Sequence, residues 1–269
     1  MDRYKTLFNQ LKERHQGAFV PFVMIGDPDP QSSFEIICQL IDSGADALEL
    51  GFPYSDPIAD GPTIQKAAIR ALKAGATPPR CFEILGRIRA RYPEIPVGLL
   101  LYSNLVLAKG IDSFYLQAKS AGVDSILIAD VPLREIDPFK HAASNAGIAQ
   151  ILIAPPNASD DALLKIAKAS YGYTYVLGRA GVTGAETDAD LDAKELLDKL
   201  QQAHSAPSLL GFGISRPEQV KQALNAGADG AISGSATVNI IEKHLNDKQQ
   251  TLAELDEFVQ SMKAATIRD

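Results

Sequence analysis

Eight short apolar or β-branched runs, amphipathic helical stretches between them, and a glycine turn that recurs at helix ends together predict an α/β fold. The expected form is a (β/α)8 TIM barrel with an extra N-terminal helix and an extra helical insertion after the second strand, the whole of 1–269 making a single domain. The predicted strands are 18–25, 46–50, 96–102, 124–130, 148–154, 173–178, 208–213 and 229–234. Most successive starts leave room for one strand, one helix and two loops. The gap between the second and third strands holds two helical stretches, TIQKAAIRALKAG and PRCFEILGRIRARY, so one of them is the insertion. The segments DSGADAL, SAGVDSI, NAGIAQI and NAGADGA each place a glycine between a helix and the next strand, as βα repeats require. An amphipathic helix at about 2–14 precedes every strand and is expected to plug the N-terminal end of the barrel. An open dinucleotide-binding sheet would carry GxGxxG after its first strand; IGDPDP stands there instead.

Composition narrows the partners. Hydrophobic residues make up 46% and charged residues 22% of 269 residues, enough for a large core and too apolar for disorder. A formal net charge of −7 disfavours nucleic acid and anionic membrane surfaces. The charged N-terminus has no signal-peptide pattern and no run reaches membrane-spanning length, so a cytoplasmic enzyme is expected. Cys38 and Cys81 lie in helical segments and read as buried thiols rather than a disulfide. The four histidines are scattered without ligand spacing, so no metal site is assigned.

Catalytic groups of such barrels sit at the C-terminal ends of strands and in the loops beyond them. Glu49, in ADALELGFPYSDP, is the sharpest anomaly there. Alternation sends Leu48 and Leu50 to one face, against the helices, and Ala47 and Glu49 to the other, into the barrel. A carboxyl in that position has its pKa raised by desolvation, which suits a general acid or base. Asp60 follows in SDPIADGPTIQ; from spacing alone, capping the next helix is its leading reading, and Asp56 before Pro57 reads the same way. Tyr175 shares a face with Tyr173 and Leu177, where aromatics are more often core than catalytic.

Glycine turns follow the last two strands, GFGISRPEQV and SGSATV. Gly211, Gly213, Gly234 and Ser235 would let backbone N–H groups approach a phosphate, with helix N-termini behind them, and Ser215 before Pro217 is the expected N-cap. Backbone dipoles can hold an anion with little help from Lys or Arg, which reconciles a phosphorylated substrate with an acidic chain. GRAGVTGAE (178–186) after the sixth strand suits either a closing lid or an ordinary surface loop. No lysine stands at a strand end for Schiff-base chemistry, which leaves acid–base cleavage.

The runs FVPFVMIGDP, ADALELGFPYSDPIADGPTIQ, GVDSILIADVP, YTYVLGRAGVTGAE, GFGIS and GAISGSA, in this order over nearly the whole chain, resemble the tryptophan synthase alpha family. The resemblance implies cleavage of indole-3-glycerol phosphate to indole and glyceraldehyde 3-phosphate, a retro-aldol lyase reaction of tryptophan biosynthesis. It implies that Glu49 protonates indole C3 and takes the glycerol hydroxyl proton, that Asp60 holds the indole N–H, and that Tyr175 stands beside Glu49. By the same likeness Phe22, Leu100, Leu127 and Phe212 surround the indole, and Gly184, Gly213, Gly234 and Ser235 cradle the phosphate. Arg179, Gly181 and Thr183 fall in the closing loop, with Thr183 meeting Asp60. A separate beta subunit carrying pyridoxal phosphate is implied as partner in an α2β2 assembly, touching Asp56, Pro57, Asn104 and Pro132, while this chain needs no cofactor. Met24, Gly178 and Ala154 depart from the family pattern without removing a catalytic group. Other phosphate-binding barrels, such as a phosphoribosyl isomerase or indole-glycerol-phosphate synthase, need strand-end residues that are missing here. A non-catalytic barrel is the alternative of a different class.

Overall fold

The computed structural model describes residues 2–178 and 193–268. Nine strand segments, β1 (Ala18–Met24), β2 (Leu48–Gly51), β3 (Val97–Leu101), β4 (Ser125–Ile128), β5 (Ala149–Ile151), β6 (Ile153–Ala154), β7 (Thr174–Leu177), β8 (Ser208–Gly211) and β9 (Gly230–Ser233), follow one another in the chain. All pair in parallel, in the order β5-β4-β3-β2-β1-β9-β8-β7-β6. The predicted fifth strand is β5 and β6 together. Its first half pairs with β4 and its second half with β7, so the chain passing through Leu152 closes the ring. Hydrogen bonds from Tyr171 N to Gln150 O (3.1 Å) and from Tyr175 N to Leu152 O (3.0 Å) complete the seam. Eight barrel strands therefore stand where eight are expected, one of them divided at Leu152, where its pairing passes from β4 to β7.

Helix α1 (Arg3–Glu13) begins at Asp2, whose carboxylate accepts from Lys5 N at 3.0 Å. Its Tyr4 enters the barrel floor, where its hydroxyl bonds Ser125 Oγ at 2.8 Å and its ring lies 5.5 Å from that of Tyr173. This is the expected plug. Between β2 and β3 come α3 (Pro62–Lys73) and α4 (Pro78–Arg91). Helix α4 packs between α2 (Pro30–Asp42) and α6 (Ile111–Ser120), the place of a barrel helix. Helix α3 instead leans on β1 and on α11 (Ser235–Lys243), which identifies it as the insertion. The remaining helices are α5 (Ser103–Leu107), α7 (Asp137–Ala146), α8 (Asp160–Ala169), α9 (Lys194–Gln202), α10 (Pro217–Asn225) and α12 (Lys248–Ala264). None of the described helices is long and apolar enough to cross a membrane.

Alternation along the strands divides the core. Leu48, Leu50, Leu99, Ile126 and Leu210 belong to the layer between sheet and helices, whereas Val20, Ala47, Leu127, Ile151, Tyr175, Leu209 and Ile232 fill the barrel. Glycines Gly44, Gly122, Gly147 and Gly227 all take left-handed φ values at helix ends, as the repeated turns predict. Three of these turns end in an aspartate with a common task. Asp46, Asp124 and Asp229 accept the backbone N–H of Phe19, Val97 and Ser208, at 2.7, 2.9 and 2.8 Å, each latching the start of the preceding strand. Both cysteines are buried free thiols.

Candidate active site

Glu49 stands in β2 in register with Phe22 of β1 and Gly98 of β3, its side chain on the barrel face as alternation predicts. It is only 2% exposed, and burial pushes its pKa up to about 7; the Tyr173 hydroxyl, donating to Oε1 at 3.0 Å, pulls the other way. The hydrogen bond thus belongs to Tyr173, not to Tyr175. Tyr175 points into the same cavity, its hydroxyl held far from ionisation by burial and then by the charges of Glu49 and Asp60. Its ring meets Phe212 edge-on, 6.4 Å between centroids.

Asp60 precedes the N-cap of α3, which is Gly61, so it is not the helix cap that its spacing suggested. It is 8% exposed, and burial raises its pKa to about 6 against a hydrogen bond from the Tyr102 hydroxyl. That hydroxyl also accepts from Ala59 N at 3.1 Å, and Gln65 Nε2 donates to Asp60 O at 2.7 Å, so the loop end is held from both sides.

Phe22, Glu49, Asp60, Ile64, Leu100, Tyr175, Phe212, Ile232, Gly234 and Ser235 line one cavity at the C-terminal mouth. Leu127 lies deeper, in the barrel core with Tyr175. Gly213 follows Phe212 in the turn after β8, both with positive φ (81° and 69°). Phe212 lines the cavity together with Gly234, the N-cap of α11, where no side chain caps the helix. The first N–H groups of α11 therefore face the cavity mouth without an intrahelical partner. Ser233 Oγ donates to Ile214 O at 2.7 Å and joins the two glycine turns. The N-cap of α10 is Arg216 rather than Ser215: the buried Gln219 side chain reaches back to Ser215 N (2.8 Å) and Arg216 N (3.0 Å).

Asp56, Asn104 and Pro132 are exposed and Pro57 half-buried, Asn104 in the short helix α5 and the others in loops on this rim. Beside them Ile58 and Leu107 are 78% and 53% exposed. Asn104 Nδ2 donates to the Tyr54 hydroxyl at 2.6 Å, and Tyr54 stacks on Tyr102. Arg179, Gly181, Thr183 and Gly184 lie outside the described residues. Met24 is buried against Gly51 and is not part of the cavity lining; Gly178 N bonds Gly211 O at 3.2 Å and Ala154 is buried.

Tyr173, Tyr102, Ile64 and Ile232 complete the site and were not singled out from sequence. Tyr173 and Ile232 could have been found by alternation, since each shares the inward face of its strand. Tyr102 and Ile64 had no such signal, because loop and helix geometry brings them in. A wider cleft opens at the opposite end, lined by Lys119, Lys140 and Lys168. Its buried carboxylate, Asp124, is bonded to Arg3 and Arg89 at 2.8 and 2.7 Å.

A sequence model described as Tryptophan synthase alpha chain matches residues 8–267. The Tryptophan synthase alpha chain of Klebsiella pneumoniae is 61% identical over 266 residues, 99% of each chain. A solved tryptophan synthase subunit alpha from Legionella pneumophila superposes with a TM-score of 0.87 at 32% identity, covering 99% of this chain and 98% of that one. A tryptophan synthase complex from Pyrococcus furiosus gives a TM-score of 0.82 at 33% identity over 92% and 98%. Buried paired carboxylates, an uncapped helix N-terminus at the far end of their cavity, and this whole-length likeness converge: the chain belongs to the tryptophan synthase alpha chain family.

Proposed function

We propose that Glu49 and Asp60 carry out the family's reaction in this chain, the retro-aldol cleavage of indole-3-glycerol phosphate to indole and glyceraldehyde 3-phosphate. The chain is a carbon–carbon lyase of tryptophan synthesis that passes indole to a beta subunit. Pyridoxal phosphate belongs to that subunit, and the alpha chain needs no cofactor of its own. One observation carries the assignment of roles: two buried carboxylates with pKa values of about 7 and about 6 face one apolar cavity. No lysine lines that cavity among the described residues.

Burial raises the pKa of both carboxyls, and Glu49, at about 7, can hold and release a proton near neutral pH. Its carboxyl gives a proton to indole C3, and positive charge spreads to the ring nitrogen, whose N–H is held by the Asp60 carboxylate. The Glu49 carboxylate then takes the proton from the hydroxyl on the carbon attached to C3. The bond between that carbon and C3 breaks, a carbonyl forms, its electron pair restores the indole ring, and Glu49 is protonated again. Phe22, Leu100, Leu127 and Phe212 supply the apolar walls for the ring, with Tyr175 beside Glu49. Gly213, Gly234 and Ser235, with Gly184, hold the phosphate through backbone N–H groups; Arg179, Gly181 and Thr183 belong to the closing loop.

An α2β2 assembly with the beta subunit places the rim of Asp56, Pro57, Asn104 and Pro132 against the partner, and exposed Ile58 gives that rim its apolar centre. One barrel domain over the whole chain and a cytoplasmic location complete the reading. The test is indole release from indole-3-glycerol phosphate by the purified chain, with and without the cognate beta subunit, for wild type and Glu49→Gln. Slow release that rises with the partner and vanishes in the variant, while glyceraldehyde 3-phosphate still binds, is the expected result. A folded wild-type chain that releases no indole in either condition overturns the assignment and leaves a non-catalytic barrel.

A further inference from the structure

Asp27 is a buried carboxylate that the chemistry above does not use. It sits in the turn after β1, its side chain fully enclosed, and Arg70 of α3 grips it with two parallel bonds, Nε to Oδ1 at 2.7 Å and Nη2 to Oδ2 at 2.9 Å. The same guanidinium approaches Glu242 of α11 at 3.8 Å, and Lys66, one turn earlier on α3, bonds Glu242 at 3.0 Å. The turn itself is pressed on the far end of α3. A Cβ on Gly26, which has φ +89°, would come within 2.6 Å of Ala76 Cβ, and Gly26 N donates to Ser33 Oγ at 2.9 Å. Three elements thus meet at Arg70: the rim of β1, the inserted helix and α11.

The two helices joined there carry opposite ends of the cavity. Asp60 and Ile64 lie at the start of α3, and Gly234 and Ser235 at the start of α11. At about 1.5 Å per residue, Arg70 stands roughly 9 Å along α3 from Ile64, and Glu242 roughly 10 Å along α11 from Ser235. The clasp therefore lies a similar distance along both helices from the residues that line the cavity. Burying an ion pair is a poor route to stability, whereas a bidentate guanidinium–carboxylate pair fixes distance and orientation well. Apolar packing of Ile64, Ala67, Ala68 and Ala71 holds α3 down, and the clasp adds a directional contact to it.

We propose that Arg70, clasped by Asp27 and Glu242, is a positioning residue that sets the span between the ring-binding carboxylate Asp60 and the phosphate-binding start of α11. Its loss separates two subsites that each remain intact. A substrate that must touch both then reacts slowly, while a fragment that touches one is held as before. This inference rests on the reading of the site given above.

The experiment compares Arg70→Met, Arg70→Lys and Glu242→Gln in the alpha chain assembled with its beta subunit. Steady-state cleavage of indole-3-glycerol phosphate is measured beside the separate binding of indole and of glyceraldehyde 3-phosphate. For Arg70→Met, kcat/KM should fall on the order of 10- to 100-fold, with both fragment affinities unchanged. Arg70→Lys keeps the charge but loses the fork and should fall between it and wild type, and Glu242→Gln should show a small loss of the same kind. Unchanged kcat/KM in a folded Arg70→Met overturns the proposal. So does a fall in fragment affinity that parallels kcat/KM, which would mark a collapsed subsite. Should Arg70→Met fail to fold, Arg70→Lys and Glu242→Gln decide by the same comparison. A wild-type assembly without cleavage activity would instead refute the assignment of the reaction, and fragment binding to it would show that separately.

Discussion

Replacing Glu49 by Gln should make the protein more stable, and increasingly so as pH rises. The carboxyl's pKa goes from 4.5 in the unfolded chain to about 7 when folded, because burial disfavours its ionised form. At about 1.4 kcal/mol per unit, that rise costs the folded state about 3 kcal/mol once the pH exceeds both values. The sign follows from proton counting. Below about pH 4.5 the group is neutral in both states and imposes no penalty; between 4.5 and 7 the folded state alone keeps the proton, so its stability declines with rising pH. Gln is neutral throughout and still offers an oxygen to the Tyr173 hydroxyl, which donates to Glu49 at 3.0 Å. The variant's advantage should grow from roughly 1 kcal/mol at pH 5.5 to about 3 kcal/mol at pH 8. Asp27, Asp46, Asp60 and Asp229 are also raised by burial, but they are common to both proteins and cancel in the difference. Urea unfolding of both chains across that range, with equal slopes, reads the gap directly. A gap independent of pH, or one that widens toward acid, would refute the reasoning that an ionisable group is stored in the barrel at the expense of stability.

The other expectations concern rate and packing. Tyr173→Phe removes the bond that favours ionised Glu49; a bond of that kind is worth about 1.5–3 kcal/mol, so the alkaline limb of kcat/KM should move up by about one to two pH units, and a limb that stays or moves down contradicts the assignment. Asp60→Asn should lower kcat by about 10²–10³-fold with glyceraldehyde 3-phosphate binding retained; loss of that binding in equilibrium titrations would make Asp60 a structural support instead. Gly211→Ala puts a Cβ onto the Tyr175 ring and hydroxyl, so it should cost about 1–3 kcal/mol in urea unfolding and slow indole release, whereas a change in neither would show that Tyr175 can rest elsewhere.

Much of this molecule could be read from local patterns. Alternation around Glu49 sent Leu48 and Leu50 outward and Glu49 inward because a strand has a period of two, so neighbours along it face opposite sides of the sheet. The glycine turns at 44, 122, 147 and 227 were legible because left-handed backbone is a local property. Asp60 was misread from spacing alone as a cap, since a carboxylate before Gly-Pro looks the same in sequence whether it turns to the helix or into a cavity. The resemblance corrected that reading, and Gly61 as N-cap agrees with it.

By itself the sequence determined the strand count, the inward carboxylate, the order of glycine turns and the family, all of which depend on neighbours along the chain. Only the tertiary structure decided that Tyr173 rather than Tyr175 bonds Glu49, that Tyr102 bonds Asp60, and that Arg70 clasps Asp27 across 43 residues. Those pairings depend on the barrel's closure, the helix tilt and the rotamers that bring distant strands and loops within about 3 Å, and no local periodicity encodes a distance of that kind.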